Sequence, residues 1–195
     1  MNLSVIVPCY NEEKNIPLVV KRFAEILSQD LKAELVLVDN GSIDGSNKLI
    51  LELMKTHSFI RIAEVKKNIG YGFGIWSGLK EAKGEFICWT HADMQTDLKD
   101  TIKAYRIITT QPDAKNCFVK GERHGRPLFD QAFTTFMSWF ETLYLGTLLH
   151  DINAQPNMFH RAFFEKFKQL PNDFSFDLCV LYLAKRTGLT LVRFP

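Results

Sequence analysis

The side chains best suited to chemistry lie in one short segment, Thr90-His91-Ala92-Asp93-Met94-Gln95-Thr96-Asp97. Alternation along an extended loop puts His91, Asp93 and Gln95 on one side, with three oxygen or nitrogen donors converging. Hard divalent cations such as Mg2+ or Mn2+ take carboxylate and carbonyl oxygens and keep open positions for ligand phosphates. A cation bridging two phosphates there would stabilise charge developing on a departing nucleotide diphosphate. Asp97 reads instead as the N-cap of the helix that follows. A plain turn role is the competing reading of Asp93.

Three more segments have the same character: Pro8-Cys9-Tyr10-Asn11-Glu12, Asp39-Asn40-Gly41-Ser42 and Lys67-Asn68-Ile69-Gly70-Tyr71-Gly72. Each follows a short β-branched apolar run, namely Leu3–Val7, Glu34–Val38 and Ile60–Val65. The first segment follows a fourth such run, Glu85–Trp89. Between the runs, Asn15–Leu27, Ser46–Lys55 and Gly74–Ala82 have helical period. Continuous apolar strands spaced by helices predict a parallel sheet covered on both faces, an α/β fold. Such sheets bind ligands beyond the carboxyl ends of their strands, where all four polar segments fall. Further on, Lys99–Thr110 reads as helix, Asn116–Lys120 as strand, Asp177–Arg186 as helix and Thr190–Phe194 as a last strand. No repeat, linker or low-complexity stretch divides the chain, so one domain over residues 1–195 is the expectation.

Composition narrows the function classes. Lys+Arg 24 against Asp+Glu 22 leaves a net charge of +2, and 46% of residues are hydrophobic. That excludes disorder and offers no broad basic field for nucleic acid. Four cysteines without a C-x-x-C pair predict a reducing compartment, with Cys9 and Cys88 as small buried hydrophobes. The N-terminal run lacks a cationic region and a cleavage site, so it reads as a strand and not a signal peptide. No window reaches the roughly 18 apolar residues of a membrane span. A cytoplasmic protein, peripheral at most to the inner face of the membrane, is the expectation.

On these residues the chain resembles the inverting family 2 glycosyltransferases of GT-A fold. The resemblance is carried by Val5-Ile6-Val7-Pro8-Cys9-Tyr10-Asn11-Glu12-Glu13, by Val38-Asp39-Asn40-Gly41-Ser42-Ile43-Asp44-Gly45-Ser46 and by Ala92-Asp93-Met94-Gln95. Within that family the chain is most similar to the dolichyl- and polyprenyl-phosphate sugar synthases. The resemblance implies a nucleotide-diphosphate sugar donor and a Mn2+ or Mg2+ cofactor. It implies that Pro8, Tyr10 and Glu12 contact the nucleoside and that Asp39 meets base or ribose, with Asn40 shaping that pocket. It places Asn68 and Gly70 near the sugar nucleotide, Ala92 and Asp93 at the diphosphate, and Gln95 as a further metal ligand. Asx-turn chemistry is the competing reading of Asp39 and Asn40, and core packing that of Tyr10. One departure stands out: the family's metal motif begins with an aspartate where this chain has His91. Imidazole ligates Mn2+ but suits Mg2+ poorly, and it removes one negative charge.

Gly70-Tyr71-Gly72-Phe73-Gly74 is not a dinucleotide fingerprint, which belongs to the first βα turn and needs another glycine spacing. The basic loop Lys120-Gly121-Glu122-Arg123-His124-Gly125-Arg126 could grip phosphate through guanidinium forks. The resemblance sets Arg123 near the donor diphosphate or an acceptor phosphate; a solvated loop is the alternative for Arg123 and Arg126. Phe129, Phe133, Phe136, Phe140 and Leu143 form an apolar helical stripe. Residues 128–149, with Trp139 and Tyr144, would pack in the core or in a homodimer, or meet a lipid acceptor or bilayer.

The segment His150-Asp151-Ile152-Asn153-Ala154-Gln155-Pro156-Asn157 resembles the family's acceptor-side loop, with Pro156-Asn157-Met158 replacing glycine-phenylalanine-arginine. Transfer to a hydroxyl requires a carboxylate to take its proton, for which Asp177 and Asp151 are the candidates; an ionised phosphate acceptor needs none. Related synthases continue past the strand that ends here into a basic, phosphate-clamping segment. The expectation is a transferase moving a hexose, with inversion, to a polyprenyl phosphate or a surface glycan. The alternative is a non-catalytic nucleotide-sugar-binding domain of the same fold. Nucleotidyltransfer is disfavoured, since the first turn holds neither glycine nor a cation.

Overall fold

Strands that are apolar on both faces fold only if both faces are covered, and this chain does so around one sheet. The computed structural model describes residues 1–122 and 151–195. Strands β1 (Leu3–Cys9), β2 (Ala33–Asp39), β3 (Ile60–Glu64) and β4 (Phe86–Trp89) are joined through helices α1 (Ile16–Ile26), α2 (Ser46–Thr56) and α3 (Tyr71–Glu81). After α4 (Lys99–Thr109) come β5 (Cys117–Gly121), β6 (Asn157–His160), α5 (Arg161–Phe164), α6 (Phe176–Arg186) and β7 (Thr190–Phe194). The seven-stranded sheet has the order β3-β2-β1-β4-β6-β5-β7. The β1/β2, β1/β4, β2/β3 and β5/β7 pairs are parallel, whereas β6 runs antiparallel to β4 and β5.

Period-two alternation sorts the core into two layers. Val5, Val7, Leu35, Leu37 and Cys88 face α1, α2 and α4, with Val19, Phe23, Ile50 and Ala104 against them. Ile6, Val36, Val38, Ile87 and Trp89 face the opposite way, toward Ile75, Leu79, Phe176 and Val180 of α3 and α6. Cys9 and Cys88 are buried free thiols. From β1 the sheet grows one way through β2 and β3 and the other way through β4, so the connections diverge there. A crevice opens at the carboxyl ends of β1 and β4, at the switch point where α/β sheets bind ligands.

Strands and helices follow the sequence reading closely, with two differences. Helix α3 begins at Tyr71 and not at Gly74, because Gly70, at φ +131°, sets the boundary. Beyond the predicted elements, β6 and α5 occupy what reads in sequence as an irregular stretch. Four residues wedged between two neighbours, Asn157-Met158-Phe159-His160, carry no alternation to betray a strand. Among the described residues no helix is long and apolar enough to cross a membrane. Arg123, Arg126 and the stripe at 128–149 lie outside the described residues.

Candidate functional site

The loops at the carboxyl ends are laced together by their own polar groups. Asn11 takes a left-handed conformation at φ 56°. Its N–H donates to Ser42 Oγ at 3.1 Å, and its Oδ1 accepts the Ile43 N–H at 2.9 Å. The Glu12 N–H donates to Ser46 Oγ at 3.0 Å, and Glu12 Oε2 accepts Asn15 Nδ2 at 2.7 Å. Asp39, 6% exposed, accepts the Ser42 N–H through Oδ1 and Asn47 Nδ2 through Oδ2, both at 2.9 Å. Asn40 Nδ2 reaches the Gly70 carbonyl at 3.1 Å, and Asn68 Oδ1 accepts the Gly70 N–H at 2.9 Å. A side chain at Gly70 would run into the Asn172 carbonyl, so the turn into α3 is fixed by the absence of a Cβ.

These loops wall a cavity of about 330 Å³, lined by Pro8, Cys9, Tyr10, Glu12, Asn40, Asn68, Gly70, Tyr71, His91, Ala92, Asp93 and Phe174. Nearly all residues expected at the donor nucleotide thus meet in one place. Asp39 is absent from the lining, with Oδ1 on the turn and Oδ2 on Asn47 of α2. Asn40 Oδ1 is buried without a hydrogen-bond partner. Burial pushes the Cys9 thiol up, so this cysteine is an inert part of the wall.

The carboxylate loop is bent, not extended. Met94 sits at φ 59°, and Asp93 Oδ1 accepts the Gln95 N–H at 3.0 Å, an Asx turn that breaks the alternation. His91, Asp93 and Gln95 therefore do not share one side, as the extended-loop reading expected. Asp93 lines the first cavity, and Gln95 a second of about 400 Å³ together with Thr96, Asp100, Gly121, Glu122, Asn153, Gln155, Phe194 and Pro195. His91 lines both. Among the described residues no group of three or more His, Cys, Asp or Glu is placed to hold a metal ion. An exposed carboxylate at the rim of an open cavity fits a hard cation shared with a ligand's phosphates, and not an all-protein cage. Asp97 is not the N-cap, which falls on Leu98: the Asp97 Oδ1 accepts the Lys99 N–H at 2.9 Å, and both oxygens take the Arg22 guanidinium, at 2.9 and 2.6 Å. That fork fastens the loop to α1 and holds the Asp97 carboxyl down at about 2.

Asp177 stands at the start of α6, 4% exposed. Its Oδ1 accepts Trp89 Nε1–H at 2.9 Å and Asn157 Nδ2 at 3.4 Å; its Oδ2 accepts the Tyr71 hydroxyl at 3.2 Å. Lys120, fully buried, donates from Nζ to Asn157 Oδ1 at 2.6 Å and to the Ala154 carbonyl at 2.7 Å. Burial pushes the Asp177 carboxyl above its ordinary range, against the pull of Lys120, Trp89, His91 and Tyr71. The Tyr71 phenol is likewise raised, by burial and then by Asp177. Asp177 lines neither cavity: Tyr71, His91 and Gln155 stand between it and them. Asp151, the other base candidate, adopts φ 49° in the acceptor-side loop.

Sequence reasoning passed over Tyr71, Trp89 and Lys120 as members of this cluster. Trp89 closes a strand and reads as an ordinary strand residue, whereas Lys120 reads as the strand end that opens the basic loop; in the fold it is buried in β5, its ammonium on Asn157 and the Ala154 carbonyl. Two lone polar atoms in apolar strands, the indole N–H and the ammonium, were the available signal, since both demand partners when buried.

The cavity thus lies at the switch point of an α/β sheet, where such sheets bind ligands, with a carboxylate at its rim. The chain belongs to glycosyl transferase family 2, whose family model matches residues 4–166. It is similar to a dolichyl-phosphate β-glucosyltransferase of Trichomonas vaginalis, 33% identical over 104 residues that cover 50% of this chain and 32% of that one. It is also similar to the dodecaprenyl-phosphate galacturonate synthase of Rhizobium johnstonii, 33% identical over 102 residues, 51% and 30% of the two chains. The matched part thus spans about a third of those relatives. Among solved structures, glucosyl-3-phosphoglycerate synthase from Mycobacterium tuberculosis in complex with Mn2+, UDP-glucose and phosphoglyceric acid superposes with TM-score 0.76 at 15% identity, over 98% of this chain and 68% of that one. A mannosyltransferase from Pyrobaculum calidifontis in complex with GDP-Man and Mn2+ superposes with TM-score 0.72 at 23% identity, over 100% and 55%. These likenesses establish the GT-A fold.

Proposed function

We propose that this chain is the donor-binding and catalytic part of an inverting hexosyltransferase that passes a sugar from a nucleotide diphosphate to a polyprenyl phosphate. The observation that carries it is the convergence of Pro8, Tyr10, Glu12, Asn40, Asn68, Gly70, Ala92 and Asp93 on one cavity. The names of the relatives support the acceptor class, several being transferases onto dolichyl or polyprenyl phosphates. Asp93 would hold Mn2+ or Mg2+ together with the donor's diphosphate, and the cation would supply charge neutralisation for the leaving nucleotide. His91 lines the same cavity as Asp93 and could serve as a further ligand, whereas Gln95, expected as one, lines the second cavity; Arg123 is kept as a phosphate contact only from the sequence resemblance.

The second cavity, bounded by Gln95, Gln155 and Glu122, would take the acceptor. His91 lines both cavities, which supports a donor and an acceptor meeting beside that residue. A phosphate acceptor attacks already ionised. A hydroxyl acceptor on a glycan would need a base within hydrogen-bond reach, and Asp177, the candidate from sequence, lines neither cavity and has its oxygens on Trp89, Asn157 and Tyr71.

The test is product formation. Purified protein is incubated with UDP- or GDP-hexoses, Mn2+ and polyprenyl phosphate in detergent, and lipid-linked sugar is followed by mass spectrometry. Transfer lost in EDTA and in Asp93→Ala supports the reading. Tight donor binding without turnover on any acceptor, lipid or glycan, overturns it.

A further inference from the structure

We propose that Tyr71 is a positioning residue that couples the donor cavity to the acceptor-side loop 151–157. The inference rests on the reading of the two cavities given above and names a residue which that reading leaves without a role.

Tyr71 touches both sites with different parts of one side chain. Its ring is the middle member of an aromatic row, stacked on Phe174 at 5.1 Å and 16° and tilted against His91 at 5.6 Å and 34°. All three rings line the donor cavity. Its hydroxyl points away from that row, donating to Asp177 at 3.2 Å and accepting from Gln155 Nε2 at 3.3 Å. Gln155 lines the acceptor cavity, and its Oε1 accepts Asn157 Nδ2 at 2.9 Å. Asn157 is held in turn by Lys120. A displacement of the ring therefore reaches the loop through one hydroxyl.

Two features make the joint responsive. Both bonds of the hydroxyl lie beyond the usual lengths of about 2.7–2.8 Å for O–H···O and 2.9–3.0 Å for N–H···O, so a shift of a few tenths of an ångström makes or breaks them. The backbone behind Tyr71 leaves little slack. The Phe73 N–H is bonded to the Asn172 carbonyl at 3.1 Å, and Cβ atoms at Gly70 or Gly72 would collide with the 171–173 segment. A nucleotide pressing on Asn40, Asn68 and Gly70 pushes directly on the residue that precedes Tyr71.

Hydrogen exchange read by mass spectrometry on the whole protein tests the coupling without knowledge of the acceptor. In the wild type, saturating UDP with Mn2+ should slow exchange in peptides spanning 151–158 several-fold. Tyr71→Phe keeps the ring and removes both bonds; at matched saturation with UDP the ligand-dependent slowing should disappear. Loss of two part-buried hydrogen bonds is large enough for roughly a tenfold change in local opening. Gln155→Leu, which cuts the joint from the other side, should give the same result. Slowing that survives in Tyr71→Phe, or wild type that binds UDP with no change at 151–158, overturns the proposal. If neither UDP nor GDP binds, the functional reading fails on its own, and the joint is judged in free protein. There Tyr71→Phe must speed exchange at 151–158 relative to β1 and β2, and equal rates refute it.

Discussion

Asp93→Asn separates charge from shape at the rim of the donor cavity. Asp93 Oδ1 accepts the Gln95 N–H at 3.0 Å, and an asparagine Oδ1 can accept the same bond. The bend of the loop is therefore kept, and unliganded stability should change by less than about 0.5 kcal/mol, as for other exposed substitutions. What disappears is the negative charge offered to a cation. A ligand at about 100 times its Kd stabilises the folded state by about 2.7 kcal/mol. At about 2–4 °C per kcal/mol for a chain of this length, that is a rise in Tm of about 5–10 °C. Thermal unfolding is followed with UDP or GDP, in Mn2+ or in EDTA. Wild type should show the rise in Mn2+ and a smaller one in EDTA; the variant should match wild type unliganded and show the EDTA value in both. A variant that keeps the full Mn2+ increment refutes the assignment of Asp93.

Asp177→Asn should change the pH dependence of stability. The folded-state pKa is raised, so between the ordinary carboxylate value and the folded one the native state holds more protons than the unfolded chain, and wild-type stability falls as pH rises through that window. Urea titrations upward from about pH 4 should show that fall in wild type and a flatter profile in the variant; parallel profiles contradict it. Arg22→Ala acts with the opposite sign. Asp97 is held at about 2 by Arg22, so the pair contributes above the unfolded carboxylate pKa and is lost as pH falls toward 2. The variant should lose less stability than wild type between those limits, and high salt should shrink the gap, both ends of the fork being solvent-accessible. His91→Asp restores the family's acidic pair; calorimetry should find tighter Mn2+ binding in the absence of nucleotide, and unchanged affinity would place residue 91 outside the cation's reach.

The parallel half of the sheet was legible because burial on both faces writes itself as unbroken runs such as Leu35-Val36-Leu37-Val38. The carboxyl-end rule then located the cavity that these loops wall. Three things were not legible. Strand β6 is too short and too polar at its ends to show a period, and pairing with β4 and β5 decides it. The bend at Met94 comes from one side-chain bond, from Asp93 to the Gln95 N–H, which redirects Gln95 to the other cavity. The cluster around Asp177 joins β4, β5, β6, α3 and α6, residues 71 to 177, and no local pattern can announce contacts that distant. Asp39 is the converse case. Its place after a strand fitted both a nucleotide contact and an Asx turn; in the fold Oδ1 makes the Asx turn and Oδ2 holds Asn47 of α2.

The exchange of aspartate for histidine at position 91 has a physical logic in its surroundings. The His91 ring packs on Tyr71, whose hydroxyl is bonded to Asp177, and His91 favours the ionised form of that carboxylate. Burial already opposes ionisation of Asp177, and an aspartate at 91 would add a second negative charge beside it, where two carboxylates disfavour each other's ionisation. An imidazole removes that repulsion and extends the aromatic row along the donor cavity. On the proposed function the consequence falls on the cation: without an aspartate at 91, Asp93 and Glu12 are the carboxylates lining the cavity among the described residues, and the diphosphate would supply further negative charge. Cation and nucleotide would then bind together more tightly than either alone.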